Sequence, residues 1–399
     1  MYTLFRRKLL TLYRSGIWHC IKLYWNRYAP WPMRMTFYLS LFKFVFSKNK
    51  SKRLLGIWDF KYLPWSVGDP LVFIETLNIL KLEYDVEEVD ICIIYDRENP
   101  SGIRSSCMTS ENAQDYMLDY LPLFGTCQFL GSVFQFSSRK EFYRYLKLNL
   151  DRYQIFPPLV GHLGGTYNYY DGADMSPISK FYDKHNYIPY LRISDRETSW
   201  ALKFYREHIP LNTVPVVLSL KNTTHDDQRN ADPAAWLPFI ELCGNTFTDV
   251  VFILIGLKGE EPEGIRQHNN VVVAKDYGTT LLEDMALIRS SFFYMATISG
   301  ITTVALFSDT PYIFFQMRSF VMEKNQLSSG KNFRFATEKQ KLFDETFIIT
   351  PEFLYNEFRR MYHSLDKQQW LSKMVNSKSQ AARHPSALIR AEDAEAEDM

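Results

Sequence analysis

The sequence predicts an α/β fold: two Rossmann-like domains facing across a cleft, preceded by a basic, amphipathic helical extension. Three observations carry this. Runs such as Val89–Tyr95 and Val214–Leu220 have the largely apolar, β-branched character of strands buried on both faces. They alternate with segments opened by helix-capping spacings, the rhythm of parallel sheets with crossover helices. The 399 residues supply enough chain for two or three domains at roughly 150 residues each.

The amino end comes first. Residues 1–53 hold twelve Lys or Arg and no carboxylate. Phe5, Leu9, Leu12, Tyr13, Ile17, Ile21 and Tyr24 share one face at helical spacing, and Trp18 and Trp25 add interfacial rings. Charge breaks the apolar stretch at Phe5-Arg-Arg-Lys-Leu9 and no small-residue cleavage site follows, so a signal peptide is not indicated. A basic, aromatic amphipathic segment suits the anionic surface of a membrane. The other reading is a helical hairpin packed on the body.

The first domain is expected over 54–205. Leu54–Trp58 reads as a strand, Asp59–Asp69 as a loop, Leu71–Leu82 as a helix and Val89–Tyr95 as a second strand. Ser138-Arg-Lys-Glu141 has capping-box spacing and opens a helix to about Leu150. Phe156–Ile193, rich in Gly, Pro and Tyr, reads as a connecting region; Gly161-His-Leu-Gly-Gly165 lacks the spacing of a dinucleotide fingerprint.

The second domain is expected over 206–375, and Ser194-Asp-Arg-Glu197 caps the helix that leads into it. Val214–Leu220 is a strand, 221–232 a polar loop, and Asp232-Pro233 a helix start. Val250–Ile255 and Val271–Ala274 are strands. Thr280-Leu-Leu-Glu283 caps the helix carrying Met285–Arg289; Phe292–Thr297 and Thr303–Phe307 follow between short loops. Thr350-Pro-Glu352 opens a long last helix to about Met374, and the acidic tail 376–399 reads as disordered.

Composition excludes several classes. With 46% hydrophobic and 23% charged residues the chain is not broadly disordered, and no apolar run reaches the roughly 18–20 residues of a membrane span. The net charge of +1 hides an asymmetry: beyond residue 53 there are 34 basic against 45 acidic residues. A mildly acidic body argues against nucleic acid as a partner. Five scattered cysteines without C-x-x-C spacing make neither a zinc ribbon nor a disulfide framework, which fits a reducing compartment. Walker, G-x-S-x-G, H-E-x-x-H and kinase motifs are absent from the sequence, and so is a D-x-D pair that would hold a metal.

Pro64-Trp-Ser-Val-Gly-Asp69, between a first strand and a first helix, resembles the S-x-G-D turn of heptosyltransferase-type glycosyltransferases of the two-domain GT-B fold. Leu281–Ser291, then Ile298-Ser-Gly-Ile301 and Thr310-Pro311, resemble that group's carboxyl-terminal signature: capped helix, strand, Ser-Gly turn, further strand. The stretch 221–236, with Arg229-Asn230 ahead of a helix, is similar to donor-binding loops of bacterial polysaccharide enzymes. The chain departs from the pattern at Thr297-Ile-Ser299, where the group carries an acidic residue before Ser-Gly.

The resemblance implies an inverting, metal-independent sugar transfer from a nucleotide-sugar donor to a lipid-linked or surface glycan, of lipopolysaccharide or capsule type. No cofactor is expected. It would take place at the inner, cytoplasmic face of a membrane, where the basic arm concentrates the enzyme. A sugar hydroxyl is a poor nucleophile and needs a base; the resemblance gives that role to Asp69, with Gly68 flexing the turn. Asp69 is alternatively the helix N-cap, with Pro70 at the first position. Lys221 and Arg229 are candidates to hold a leaving diphosphate, with Asn230 and His225 in the same loop, or else are solvated loop charges. Ser299 and Gly300 could offer backbone N–H groups to phosphate or simply make a turn. The resemblance places Glu283 on the donor's ribose, whereas its spacing from Thr280 is that of a capping box. Two rivals stand beside the transferase: a non-catalytic GT-B-like protein that binds sugar nucleotide or glycan during assembly, and a sugar-nucleotide epimerase.

Overall fold

The computed structural model describes residues 53–61, 63, 66–97, 109–157, 173–222, 230–259 and 261–374. The basic arm before Arg53, the Gly161–Gly165 stretch and the acidic tail lie outside them. The chain forms two compact units that part between Arg192 and Ile193.

In the first unit the order is β1 (Arg53–Asp59), α1 (Gly68–Tyr84), β2 (Glu88–Ile94), α2 (Ala113–Phe124), β3 (Leu130–Phe136), α3 (Arg139–Asn149), β4 (Tyr153–Phe156) and α4 (Ser176–His185). Its four strands are parallel in the order β3-β2-β1-β4. β1 explains its own sequence: alternate side chains go to opposite faces and both faces are covered. Leu55 and Ile57 join Phe142 and Leu146 of α3. Trp58 meets Phe73 of α1 at 5.2 Å and Phe124 of α2 at 6.1 Å, both edge to face. Gly56 lets α1 approach, since a Cβ there would lie 2.5 Å from Leu77 Cδ1.

The amino edge of this sheet is tied by Asp90, which is almost fully buried. It accepts hydrogen bonds from Arg53 Nε (2.7 Å) and Nη2 (2.6 Å), Tyr153 Oη (2.8 Å) and the Ser132 amide (2.9 Å).

In the second unit come α5 (Asp195–His208), β5 (Val214–Ser219), α6 (Pro233–Thr246), β6 (Val250–Ile255), β7 (Val271–Val273), α7 (Leu281–Ser290), β8 (Phe293–Thr297), α8 (Thr303–Leu306), β9 (Tyr312–Met317), α9 (Ser319–Lys324), β10 (Gln340–Asp344) and α10 (Pro351–Ser364). Six parallel strands run in the order β10-β9-β8-β5-β6-β7. Read from β5 this is the 3-2-1-4-5-6 order of a doubly wound dinucleotide fold. Val216, Leu218, Phe252, Met295 and Phe315 pack with Trp236 and Phe239 of α6 and Phe358 of α10. The alternate residues Val217, Tyr294 and Phe314 are also fully buried and turn to the other face.

Four expected helix starts form as read. Ser194, Asp232, Thr280 and Thr350 each accept a backbone N–H, from Glu197, Ala234, Glu283 and Phe353. Several readings need correction. The domain boundary at 205/206 falls too late, because Tyr205 of α5 is fully buried and its hydroxyl donates to Leu287 O of α7 at 2.5 Å. α5 therefore belongs with the second unit. Ser138 does not close a capping box: its hydroxyl accepts the Lys140 amide at 3.2 Å instead. Thr303–Leu306 is a helical turn, and the strand after it is β9. The final helix ends at Ser364, where Leu365 turns to extended geometry, and helix resumes over 367–374.

β9 carries one irregularity. Leu342 pairs with Phe314 but Asp344 pairs with Met317, so β9 has an extra residue at its carboxyl end. Gln316 takes up the slack with φ +63°.

Candidate functional site

Ligands of doubly wound sheets bind beyond the carboxyl ends of the strands, where the strand order reverses. In the second unit that point lies between β5 and β8, whose last paired residues are Ser219 and Ala296. The chain leaves β5 into Lys221, whose amide donates to Thr297 Oγ1 at 3.1 Å, tying the two strand ends together. The polar loop is closed at its base, since the Ala231 amide donates to Lys221 O at 2.7 Å. Lys221 and Asn230 are thereby brought to the same end of the sheet. Arg229 and His225 lie outside the described residues.

From β8 the chain runs through Ser299, in extended conformation, into the helical turn Gly300–Thr302 and then α8. Thr302 holds Ser299 O with its hydroxyl at 2.6 Å. Ser299 Oγ is buried and has no hydrogen-bond partner among the described residues. At the neighbouring strand end, Gly256 leaves β6 with φ +141°, and a Cβ there would meet nothing within 4 Å. So the reversal point has a side-chain hydroxyl in need of a partner, two helical-turn amides and open space beside β6. That combination can take an anionic, hydroxyl-bearing ligand.

Glu283 is occupied otherwise. Its Oε2 accepts the Thr280 amide at 2.7 Å while Thr280 Oγ1 accepts the Glu283 amide at 3.3 Å, a complete capping box. Just after it, Asp284 takes a hydrogen bond from Thr279 Oγ1 (2.7 Å) and faces Lys275 Nζ at 2.9 Å. Burial pushes the Asp284 carboxyl up against the pull of Lys275.

The first unit offers its own carboxyl edge. Gly68 is the first helical residue of α1 and Asp69 the second, so Asp69 is not the N-cap. Ser66, one residue before the N-cap Val67, accepts the Asp69 amide with its Oγ at 3.1 Å. The Ser66 hydroxyl also donates to Asp69 Oδ2. A hydroxyl thus orients the carboxylate, which is half-buried in the first turn of α1.

A charge cluster that no motif announces lies at the carboxyl end of the same sheet. Arg139, at the start of α3, binds Asp59 through Nε (2.9 Å) and Nη2 (2.5 Å) and Asp96 through Nη1 (2.7 Å). Burial, then the nearby guanidinium of Arg139, lowers the Lys61 ammonium from its ordinary value. The signal available was faint: Asp59 and Asp96 each directly follow an apolar strand run. Gly256 had a clearer one, as a glycine ending the run 250–255.

Cys92, Cys127 and Cys243 are buried free thiols; burial pushes Cys127 up to about 12. Among the described residues, no three His, Cys, Asp or Glu side chains gather as metal ligands, and no helix is long and apolar enough to cross a membrane.

No family model and no curated protein sequence matches the chain. In structure it is similar to glycosyltransferases of the heptosyltransferase type. E. coli ADP-heptose LPS heptosyltransferase II is 13% identical, with 77% of this chain and 98% of that one covered, at a TM-score of 0.49. A family 9 glycosyltransferase from Veillonella parvula is 10% identical, with 78% and 97% covered, at 0.46. The E. coli heptosyltransferase WaaC, solved with ADP-2-deoxy-2-fluoro heptose, is 13% identical, with 78% and 99% covered, at 0.37.

Proposed function

We propose that this chain is an inverting, metal-independent glycosyltransferase that moves a sugar from a nucleotide-sugar donor to a lipid-linked or surface glycan. The observation that carries the proposal is the convergence of Lys221, Thr297, Ser299 and Gly300 at the strand-order reversal of the second unit. A departing nucleoside diphosphate gathers negative charge. Lys221, together with Arg229 from the same loop, would offset that charge, and the amides after Ser299 would bond phosphate oxygens. Asp69, oriented by Ser66, would take the proton of the acceptor hydroxyl. The motif Ser66-Val-Gly-Asp69 supports this assignment, as does the release of Asp69 from the capping role.

The twelve basic residues and interleaved aromatics of 1–53 support a place at the inner face of an anionic membrane, near a lipid-borne acceptor. Ile298 favours a second reading, a non-catalytic sugar-nucleotide or glycan-binding assembly protein: it stands directly before Ser299-Gly300, where the resembled group carries an acidic residue.

Thermal-shift titration with UDP, GDP, ADP and CMP tests the proposal. One nucleotide should stabilise the protein, and Lys221→Ala should weaken that diphosphate by about 1–3 kcal/mol while leaving the parent nucleoside unchanged. No response to any nucleotide would remove the donor site. A nucleotide that binds yet supports no sugar transfer to any glycolipid would favour the assembly protein.

A further inference from the structure

Gln316 stands out at the carboxyl end of β9. It is the bulged residue of that strand and holds φ +63°, a left-handed conformation in which a side chain is disfavoured and glycine is usual. Its Oε1 is buried and has no hydrogen-bond donor among the described residues. A strained backbone and an orphaned buried acceptor in one residue need a common cause, and the described residues supply none.

Placement supplies one. The Ile298 amide donates to Phe315 O at 2.9 Å, so β8 and β9 stay paired until the residues just before Ser299 and Gln316. Ser299 and Gln316 therefore each follow the last residue through which β8 and β9 are joined, and each has a buried polar atom lacking a partner among the described residues. The chemistry of the pair is specific. An amide oxygen only accepts, so phosphate oxygens, themselves acceptors, cannot satisfy Gln316 Oε1. A hydroxyl can, because it both donates, as Gln316 Oε1 requires, and accepts, as the Ser299 hydroxyl allows. Sheet order gives the direction. With the diphosphate over β5 and β8, β9 lies on the side away from β6 and β7, and the open space at Gly256 lies on the β6 side.

We infer that Gln316 is a specificity-determining residue that accepts a hydrogen bond from a hydroxyl of the sugar being transferred, while the nucleoside lies toward β6. This rests on the donor-site reading above. The strain at Gln316 is then the means by which an amide, rather than a bare glycine, is presented at a strand end.

Titration calorimetry on wild type, Gln316→Gly and Gln316→Asn tests it, using UDP, GDP and ADP alongside UDP-glucose, GDP-mannose, ADP-glucose and ADP-heptose. Wild type should bind one nucleotide sugar more tightly than its diphosphate. Gln316→Gly should weaken that nucleotide sugar about fivefold, the diphosphate less than twofold, and leave the melting temperature equal or higher, since glycine adopts this φ freely. Gln316→Asn tolerates the same backbone but reaches less far, and should weaken the sugar likewise. Equal loss for diphosphate and nucleotide sugar, no loss for either, or a fallen melting temperature would overturn the inference. So would a wild type that never prefers a nucleotide sugar to its diphosphate. A wild type that binds no nucleotide at all would instead overturn the donor site itself.

Discussion

Arg139 grips Asp59 with two nitrogens at 2.9 and 2.5 Å, although the two are 80 positions apart in sequence and Asp59 is only 1% exposed. A guanidinium and a carboxylate matched in this way hold the start of α3 against the end of β1. A buried pair of this kind is costly to break from one side, because the remaining charge stays buried. Arg139→Met should therefore destabilise the protein by about 3–5 kcal/mol in urea unfolding. The double variant Asp59→Asn/Arg139→Met should recover at least half of that loss. A double variant no better than the single one would mean that Arg139 acts chiefly through Asp96.

Asp69→Asn isolates chemistry from structure. The Ser66 hydroxyl still accepts the residue 69 amide, so α1 should begin where it does now and the melting temperature should hold. Turnover should drop by about 10²–10⁴-fold with donor affinity unchanged. Ser66→Ala is the complementary change: it removes the acceptor of the Asp69 amide and should lower stability by about 1 kcal/mol. Near-normal transfer by the Asn variant would exclude Asp69 as the base.

The capping box at α7 allows a similar separation. Thr280→Ala removes the bond to the Glu283 amide and should lower stability by about 0.5–2 kcal/mol. Glu283→Gln keeps the fold of the box with a neutral acceptor and should change nucleotide affinity little. Loss of ribonucleotide but not deoxyribonucleotide binding in Glu283→Gln would give that side chain a ribose contact as well.

Acid should loosen the carboxyl-terminal helices first. Asp249, just before β6, accepts from Tyr362 of α10 and pairs with Lys367. Burial alone would raise its carboxyl, but the hydrogen bonds from Lys367 and Tyr362 outweigh it and hold the pKa below the ordinary value. A depressed folded-state pKa contributes stability above the unfolded value of about 4 and loses it as pH falls through and below that value. The urea midpoint should thus fall between pH 5 and pH 3, and Asp249→Asn should flatten that part of the profile. An unchanged slope in the variant would assign the acid lability to other carboxylates.

The amino-terminal arm is open to a direct assay. Removing residues 2–50 should abolish co-sedimentation with vesicles containing anionic lipid and leave the unfolding transition of the remainder in place. Vesicle binding that survives the deletion would locate the membrane contact in the body.

What the sequence disclosed follows from where each signal resides. β1, β2, β5 and β6 are covered on both faces and so read as largely apolar runs. β3 is a half-exposed edge containing Gly131, β4 has four residues, and β10 is a short edge with polar positions; none carries a comparable run. α2 was hidden by an internal Pro122, and α4 by the Gly-rich, Tyr-rich stretch ahead of it. Caps are local, so Ser194, Asp232, Thr280 and Thr350 were legible. The same local view misread Ser138, where the neighbouring Arg139 answers to Asp59 at the end of β1 and Asp96 just past β2. Lys221, Ser299 and Gly300 were visible as polar residues after apolar runs. That they meet depends on strand order, which no window of sequence contains. Gln316 left no trace, because a left-handed glutamine at a bulge looks like any other residue of an apolar strand.

All-parallel pairing also has a consequence in time. β1 sits between β2 and β4, and its partner for Arg53 is Tyr153, about one hundred residues later in the chain. At synthesis rates of about 5–20 residues per second, that strand waits roughly 5–20 s for its second neighbour. Through that interval an apolar strand has one unpaired edge, the condition under which nascent chains associate with one another. Synonymous codons that slow translation over 100–153 would lengthen the exposure without altering a single side chain.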